Sequence, residues 1–324
     1  MRRRIYGTGY KSTKNVHIME DQHYNGDIWN QEIVRLFQKF GWNRIGDFDM
    51  DVVGSDNSKM GIDTVLMFDT PLKSKPQLAI LEAKRYLTTS FSKALLQEWL
   101  NRLDSKLLKL RNSDRFYDRF PVARDFTMSD TGIIAVWFSD TENYKDFHPK
   151  FLKCLRQVTI SSRTRKAGMN KIYVLDNARF MRLFALQSAI DGIAHNENLL
   201  FTYSPRFNNG EPIVKNKCLT IEYMFSDVIF AELQSKDSAS SKTISYIFYF
   251  GDLNYNSFKL LKSAFSKTVG WDTEKEIFLY VYDADDEFRK IENDIKERIF
   301  DQFTITIKRM VKNINVPDYI VNGE

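Results

Sequence analysis

Three charged residues are set into apolar, strand-like runs of this chain. Asp63 lies between Gly61-Ile62 and Thr64-Val65-Leu66, while Glu82 and Lys84 end the run that begins Leu78-Ala79-Ile80-Leu81. An unpaired buried charge costs several kcal/mol, so charges in such runs have partners or bind a metal. Side chains alternate along a strand, which puts Glu82 and Lys84 on one face and turns Ala83 away. Asp63 reaches them if the two runs pair as a hairpin. Two carboxylates about 4 Å apart repel by roughly 4 kcal/mol at an effective dielectric of 20, a conflict that a divalent cation removes. Mg²⁺ is satisfied by one or two carboxylates together with water and phosphate oxygens. The pattern therefore points to metal-dependent phosphodiester chemistry, with Mg²⁺ or Mn²⁺ as the cofactor. A bound metal polarises the phosphate and lowers the pKa of its water. Lys84 is suited to orient or deprotonate that water, or to offset charge in the transition state. Glu32, on a helical pattern upstream, is placed to hold a metal-bound water or a second metal. The alternative is structural: a salt-bridged pair closing an edge strand, with Asp63 near a turn.

These residues need elements to position them. Ile33, Val34, Phe37 and Phe40 follow helical spacing, Asp27 is a candidate N-cap, and Gly41 ends the helix. Three strands are predicted next, over residues 44–53, 59–68 and 77–84, with Gly54-Ser55-Asp56-Asn57 and the segment from Pro71 to Pro76 as turns. A long helix over 90–110 carries Leu95, Leu96, Trp99, Leu103, Leu107 and Leu110 on one face. Residues 132–138 read as a buried strand, and a helix runs through Phe151, Leu152, Leu155 and Val158. Strands are expected at 171–175 and 180–186. Asn208-Asn209-Gly210-Glu211-Pro212 is a strong turn cluster, and the chain divides near it into residues 1–200 and 201–324. The second part predicts strands at 219–233, 244–250, 277–282 and 303–308, with helices at 256–267 and 286–300. The alternation of elements favours an α/β fold in both parts.

The 324 residues are 43% hydrophobic and 14% aromatic, which supports a packed globule of two domains. No apolar run reaches membrane-spanning length, no apolar stretch follows Met1-Arg2-Arg3-Arg4, and a cytoplasmic, membrane-free protein is expected. Cys154 and Cys218 stand far apart, which disfavours disulfides and structural zinc. His17, His23, His148 and His195 form no metal-binding pair. The net charge is +5, and between Lys145 and Arg182 ten basic residues face two acidic ones. Such a stretch attracts a polyanion or is simply a solvated helix face. Within it Arg163, Arg165 and Lys166 are the preferred nucleic-acid backbone contacts. Asp104-Ser105-Lys106 and Asp294-Ile295-Lys296 also read Asp-x-Lys, but a solvated helix face accounts for both, as it does for the acidic segment 283–301.

The order of helix with Glu32, then Gly61-Ile62-Asp63, then Glu82-Ala83-Lys84 ending an apolar strand, then a long helix, resembles the PD-(D/E)XK nuclease superfamily, with its restriction-endonuclease-like fold. The resemblance covers about residues 25–185. It implies a mixed central sheet flanked by helices, with the metal held by Asp63, Glu82 and the carbonyl of Ala83. Ile62 replaces the proline of the superfamily's name. Gln97 falls where some branches carry a glutamine and is a possible accessory residue, although Asn101 stands where those branches have tyrosine. The resemblance also suggests bacterial restriction or anti-phage defence.

Two functions compete. One is a metal-dependent nuclease acting on DNA, whose C-terminal half recognises substrate, a signal, a partner subunit or a second copy. The other is a non-catalytic subunit that binds nucleic acid or a partner. The presence of Asp63, Glu82 and Lys84 together favours the first, since a binding module has no need of all three. The residues do not discriminate DNA from RNA.

Overall fold

Trp29, Ile33, Val34, Phe37 and Phe40 repeat at helical spacing, and residues 28–39 form the first helix, α1. Gly41 follows at φ +84°, the left-handed conformation that ends a helix at low cost in glycine. The computed structural model describes residues 28–71, 73–125, 127–160, 170–203, 213–233, 244–268 and 276–312. Asp27, Arg163, Arg165 and Lys166 lie outside the described residues.

The first sheet is built from β1 (Asn43–Ile45), β4 (Thr64–Phe68), β5 (Gln77–Tyr86), β6 (Thr127–Phe138) and β7 (Lys171–Leu175) in the order β1-β4-β5-β6-β7. The β1–β4 and β4–β5 pairings are antiparallel, and β5–β6 and β6–β7 are parallel, so the sheet is mixed. Between β1 and β4 the chain leaves the sheet as a separate hairpin of β2 (Met50–Val53) and β3 (Lys59–Ile62). The two long strands expected at 44–53 and 59–68 are therefore four. The first breaks between Gly46 (φ +74°) and Asp49 (φ +51°), angles outside the β region; the second breaks at Asp63.

Ser92 caps α2 (Lys93–Arg111), its side chain accepting from the Leu95 amide, and the helix packs on β6. The contact is close at Gly132, where a Cβ would fall 2.8 Å from Leu103 Cδ2. A short helix, α3 (Asp114–Arg119), follows; α4 (Thr141–Gln157) then packs Phe147 and Phe151 against the same apolar layer. Residues 180–186, expected as strands, belong instead to the helix α5 (Asn177–Asp191). Asp176 caps it by accepting from the Arg179 amide, and Asn177 bonds the Phe138 backbone at both its N–H and its C=O. Phe180, Leu183, Phe184 and Leu186 then meet the core at helical intervals.

The second sheet has the order β13-β12-β11-β10-β8-β9, from β8 (Leu199–Tyr203), β9 (Val214–Asn216), β10 (Val228–Leu233), β11 (Ile244–Tyr249), β12 (Glu276–Tyr282) and β13 (Thr304–Met310). A short helix, α6 (Ile221–Met224), capped by Thr220, precedes β10, so the strand expected at 219–233 begins only at Val228. Helices α7 (Tyr255–Thr268) and α8 (Asp286–Asp294) connect parallel strands β11, β12 and β13, and a π-helical turn at Ile295–Ile299 extends α8. Both of these larger sheets are accompanied by helices, an α/β arrangement. The core joins them: Trp29, Phe37, Trp137 and Phe180 belong to one buried cluster with Phe201, Phe248, Tyr280 and Met310. No described helix is long and apolar enough to cross a membrane.

Candidate active site

Asp63 occupies the break between β3 and β4, and its backbone is held from two sides. Its carbonyl accepts from the Asp49 amide (2.9 Å) and from Asn30 Nδ2 on α1 (3.2 Å), while Asn30 Oδ1 accepts from Thr64 Oγ1 (2.9 Å). Thus the buried polar residue of α1 fixes the strand break that aims Asp63. The antiparallel pairing of β4 with β5 sets Thr64 opposite Leu81, and Asp63 Oδ2 accepts from the Ala83 amide at 2.7 Å.

From β5, Lys84 Nζ donates to Glu82 Oε2 (3.0 Å) and to the Ala83 carbonyl (3.1 Å), and stands 3.5 Å from Asp63 Oδ2. Glu82, whose side chain is only 5% exposed, receives a second ammonium on Oε1 from Lys106 of α2. Burial and the Glu82 charge push the Asp63 carboxyl above its ordinary range, with Lys84 and the Ala83 amide opposing. At Glu82 burial acts upward, but the two ammoniums outweigh it and hold that carboxyl low. Lys84 is held high: burial disfavours its charge, and Glu82 and Asp63 more than restore it.

These side chains line a cavity of about 410 Å³. The hairpin contributes Lys59, Met60 and Gly61, and α2 contributes Arg102 and Lys106. Three carboxylates line it, from Asp49, Asp63 and Glu82, and the Ala83 carbonyl lies beside them, 3.1 Å from Lys84 Nζ. Burial, and after it the Glu82 charge, push the Asp63 carboxyl upward, and its Oδ1 accepts no hydrogen bond among the described residues. A hard divalent cation fits such a donor set, because hard oxygen ligands are what it requires.

Residues 19–179 match the family described as the GAPS4 protein PD-(D/E)XK nuclease domain. Over those residues the chain belongs to the PD-(D/E)XK nuclease superfamily. No curated protein matches the chain. The match ends within α5, so it takes in all of the first sheet and stops short of the second.

Within this PD-(D/E)XK domain Asp63, Glu82, Ala83 and Lys84 come together. Glu32 does not line the cavity; its carboxylate pairs with Arg35 on the same helix. Gln97 is not at the cavity either. Its Nε2 donates to the Thr159 carbonyl (2.6 Å) and its Oε1 accepts from the Thr159 amide (3.0 Å), which ties the start of α2 to the segment after α4. Of the basic stretch, Lys171 pairs with Glu222 and Arg182 with Asp227, while Lys145, Lys150, Lys153 and Arg156 form an exposed face of α4 without ion pairs among the described residues. The acidic segment is largely self-paired, through Asp286–Arg289, Glu287–Lys290 and Glu292–Lys296.

Asp104 and Lys106 correct the solvated-face expectation. Asp104 is 3% exposed and accepts from Asn170 Nδ2 at 2.9 Å, and the Lys106 side chain is 12% exposed and reaches into the site. The sequence carries a signal for this. Positions 96, 99, 103, 106 and 110 are spaced by three and four, the buried stripe of a helix, and Lys106 interrupts four apolar residues.

Proposed function

We propose that this protein is a divalent-metal-dependent nuclease that hydrolyses phosphodiester bonds in DNA, with Mg²⁺ or Mn²⁺ held by Asp63, Glu82 and the Ala83 carbonyl. The observation that carries the proposal is the convergence of Asp63, Glu82 and Lys84 on one cavity within a PD-(D/E)XK domain. The bound metal would polarise the phosphate and supply an activated water. Asp63 is aimed by its bond from the Ala83 amide and by the strand break beneath it. Lys84 is flanked by two carboxylates and held charged, so its ammonium donates to the phosphate or orients the water; it is poorly suited to remove a proton. Lys59, Arg102 and Lys106 make the cavity wall cationic, as a polyanionic substrate requires. We assign nucleic-acid backbone contacts to Arg163, Arg165 and Lys166, and only an indirect, supporting role to Glu32 and Gln97, which do not line the cavity.

We assign residues 1–200 to catalysis and 201–324 to recognition of substrate, signal, a partner subunit or a second copy. The superfamily resemblance supports cytoplasmic anti-phage defence or restriction as the setting. The test is cleavage of plasmid, linear and single-stranded DNA, and of RNA, by the full chain with Mg²⁺, Mn²⁺ or EDTA. Metal-dependent cleavage lost by at least about a hundredfold in Asp63→Ala and in Lys84→Ala is expected. Cleavage that survives both substitutions, or that proceeds in EDTA, overturns the assignment. Folded protein that binds DNA but never cleaves it identifies a binding subunit.

A further inference from the structure

Glu82 carries one negative charge and receives two ammonium groups. Lys84 and Lys106 approach its opposite oxygens, so Asp63, Glu82, Lys84 and Lys106 sum to zero charge. A divalent cation placed on the two carboxylates would leave this group of four, largely buried, with two positive charges in excess. Like charges that close repel strongly, so one ammonium must withdraw.

The two lysines are not equally able to do so. Lys84 is fixed to Glu82 and the Ala83 carbonyl on its own strand and to Asp63, just ahead of the neighbouring one. Lys106 has Glu82 as its one hydrogen-bonding partner among the described residues, and it comes from the helix across the cavity on a flexible four-carbon stem. Arg102 stands four residues earlier on α2 and opens on the same cavity, with its side chain 57% exposed. Arg102 stands 4.0 Å from Glu98, and an ammonium released from Glu82 shares the cavity wall with it, where a phosphate would be held by both cations.

We propose that Lys106 is a positioning residue that competes with the divalent cation for Glu82 and, when displaced, joins Arg102 in binding the substrate phosphate. This rests on the nuclease reading above. Metal and nucleic acid then bind cooperatively: the metal frees Lys106 for the phosphate, and the phosphate keeps Lys106 off the metal's ligand. By linkage the coupling is reciprocal.

The test is Mn²⁺ binding, followed by electron paramagnetic resonance, to the full chain with and without a short phosphorothioate DNA duplex. Lys106→Met is expected to bind Mn²⁺ alone about threefold or more tighter than wild type, because a competitor for Glu82 is gone. It should also lose the tightening that the duplex gives wild type, and its duplex affinity should fall less steeply with salt, by about one unit of slope. Lys106→Arg keeps the charge and should keep both the wild-type Mn²⁺ affinity and the duplex response. A purely structural lysine would leave Mn²⁺ affinity unchanged or weaken it on replacement. Wild type that binds Mn²⁺ while Lys106→Met binds it no tighter overturns the Lys106 proposal alone. Wild type that binds no Mn²⁺, with or without duplex, overturns the metal-dependent reading and this proposal with it.

Discussion

Asp176 shows how much a single buried carboxylate can organise away from the cavity. It accepts from Tyr144 Oη (2.7 Å) and from the Arg179 amide (3.2 Å) and faces His148 Nε2 at 3.2 Å. Burial acts to raise this carboxyl, but the donors from His148 and Tyr144 prevail and hold it below the ordinary carboxylate range. A depressed folded pKa contributes stability that is present above the unfolded value and is lost as pH falls through the folded one. Asp176→Asn should therefore destabilise the protein by about 1–3 kcal/mol near neutral pH, with the deficit shrinking below about pH 4. Urea titrations at the two pH values check the sign. Cys218 offers a second test. Burial pushes its thiol up to about 12, so the native protein should react with a thiol-specific reagent at pH 8 orders of magnitude more slowly at Cys218 than the urea-unfolded chain. Mass spectrometry of the labelled peptides reads this directly.

Helix α2 connects packing to chemistry. One stripe of it, through Leu96, Trp99, Leu103, Leu107 and Leu110, lies on the sheet, while Arg102 and Lys106 face the cavity. The helix comes this close to β6 because Gly132 has no side chain; a Cβ there would fall 2.8 Å from Leu103 Cδ2 and 2.9 Å from its Cγ. Gly132→Ala should shift α2 outward and cost about 1–3 kcal/mol. It should lower cleavage more than a stability loss alone would, since Arg102 and Lys106 move with the helix. Activity assayed well below the measured Tm separates the two effects. Asp63, Glu82 and Lys84 were legible in the sequence because charge is conspicuous inside apolar runs. Lys106 was not, because a lysine on a helix is normally solvated and only its place in a three-four stripe argued otherwise. The helix at 177–191 was missed for a related reason: Phe180 to Leu186 is apolar enough to pass for a strand, and what fixes it as a helix is the Asp176 cap and the Asn177 bonds to a distant backbone. The strand breaks at 46–49 and 63 depend on positive backbone angles and on contacts from Asn30, which local propensity does not encode.

At the scale of the molecule, the two sheets share buried surface. Leu219, Tyr246, Phe248, Tyr280 and Met310 lie in the same apolar cluster as Trp29, Phe37, Trp42 and Phe180. A chain cut after residue 200 would expose that face to water. It should unfold at a temperature well below that of the full chain and bind a hydrophobic dye, whereas the full chain should melt in one transition by tryptophan fluorescence and far-ultraviolet dichroism alike. Two separated transitions in the full chain would contradict the shared core.

The junction near Gly41 carries this further. Trp42 Nε1 donates to the Leu219 carbonyl, the Leu219 amide donates to the Phe40 carbonyl, and a Cβ on Gly41 would meet Cys218 Cα at 2.9 Å. A loop next to the second sheet is thereby fitted, atom against atom, to the end of the first helix. In evolutionary terms the two halves are poor candidates for shuffling. A recombinant that kept this catalytic half and took its C-terminal half from a diverged homologue would need Gly41, Trp42 and the 218–219 backbone to arrive as a matched set, so the two halves should be inherited and diversify together.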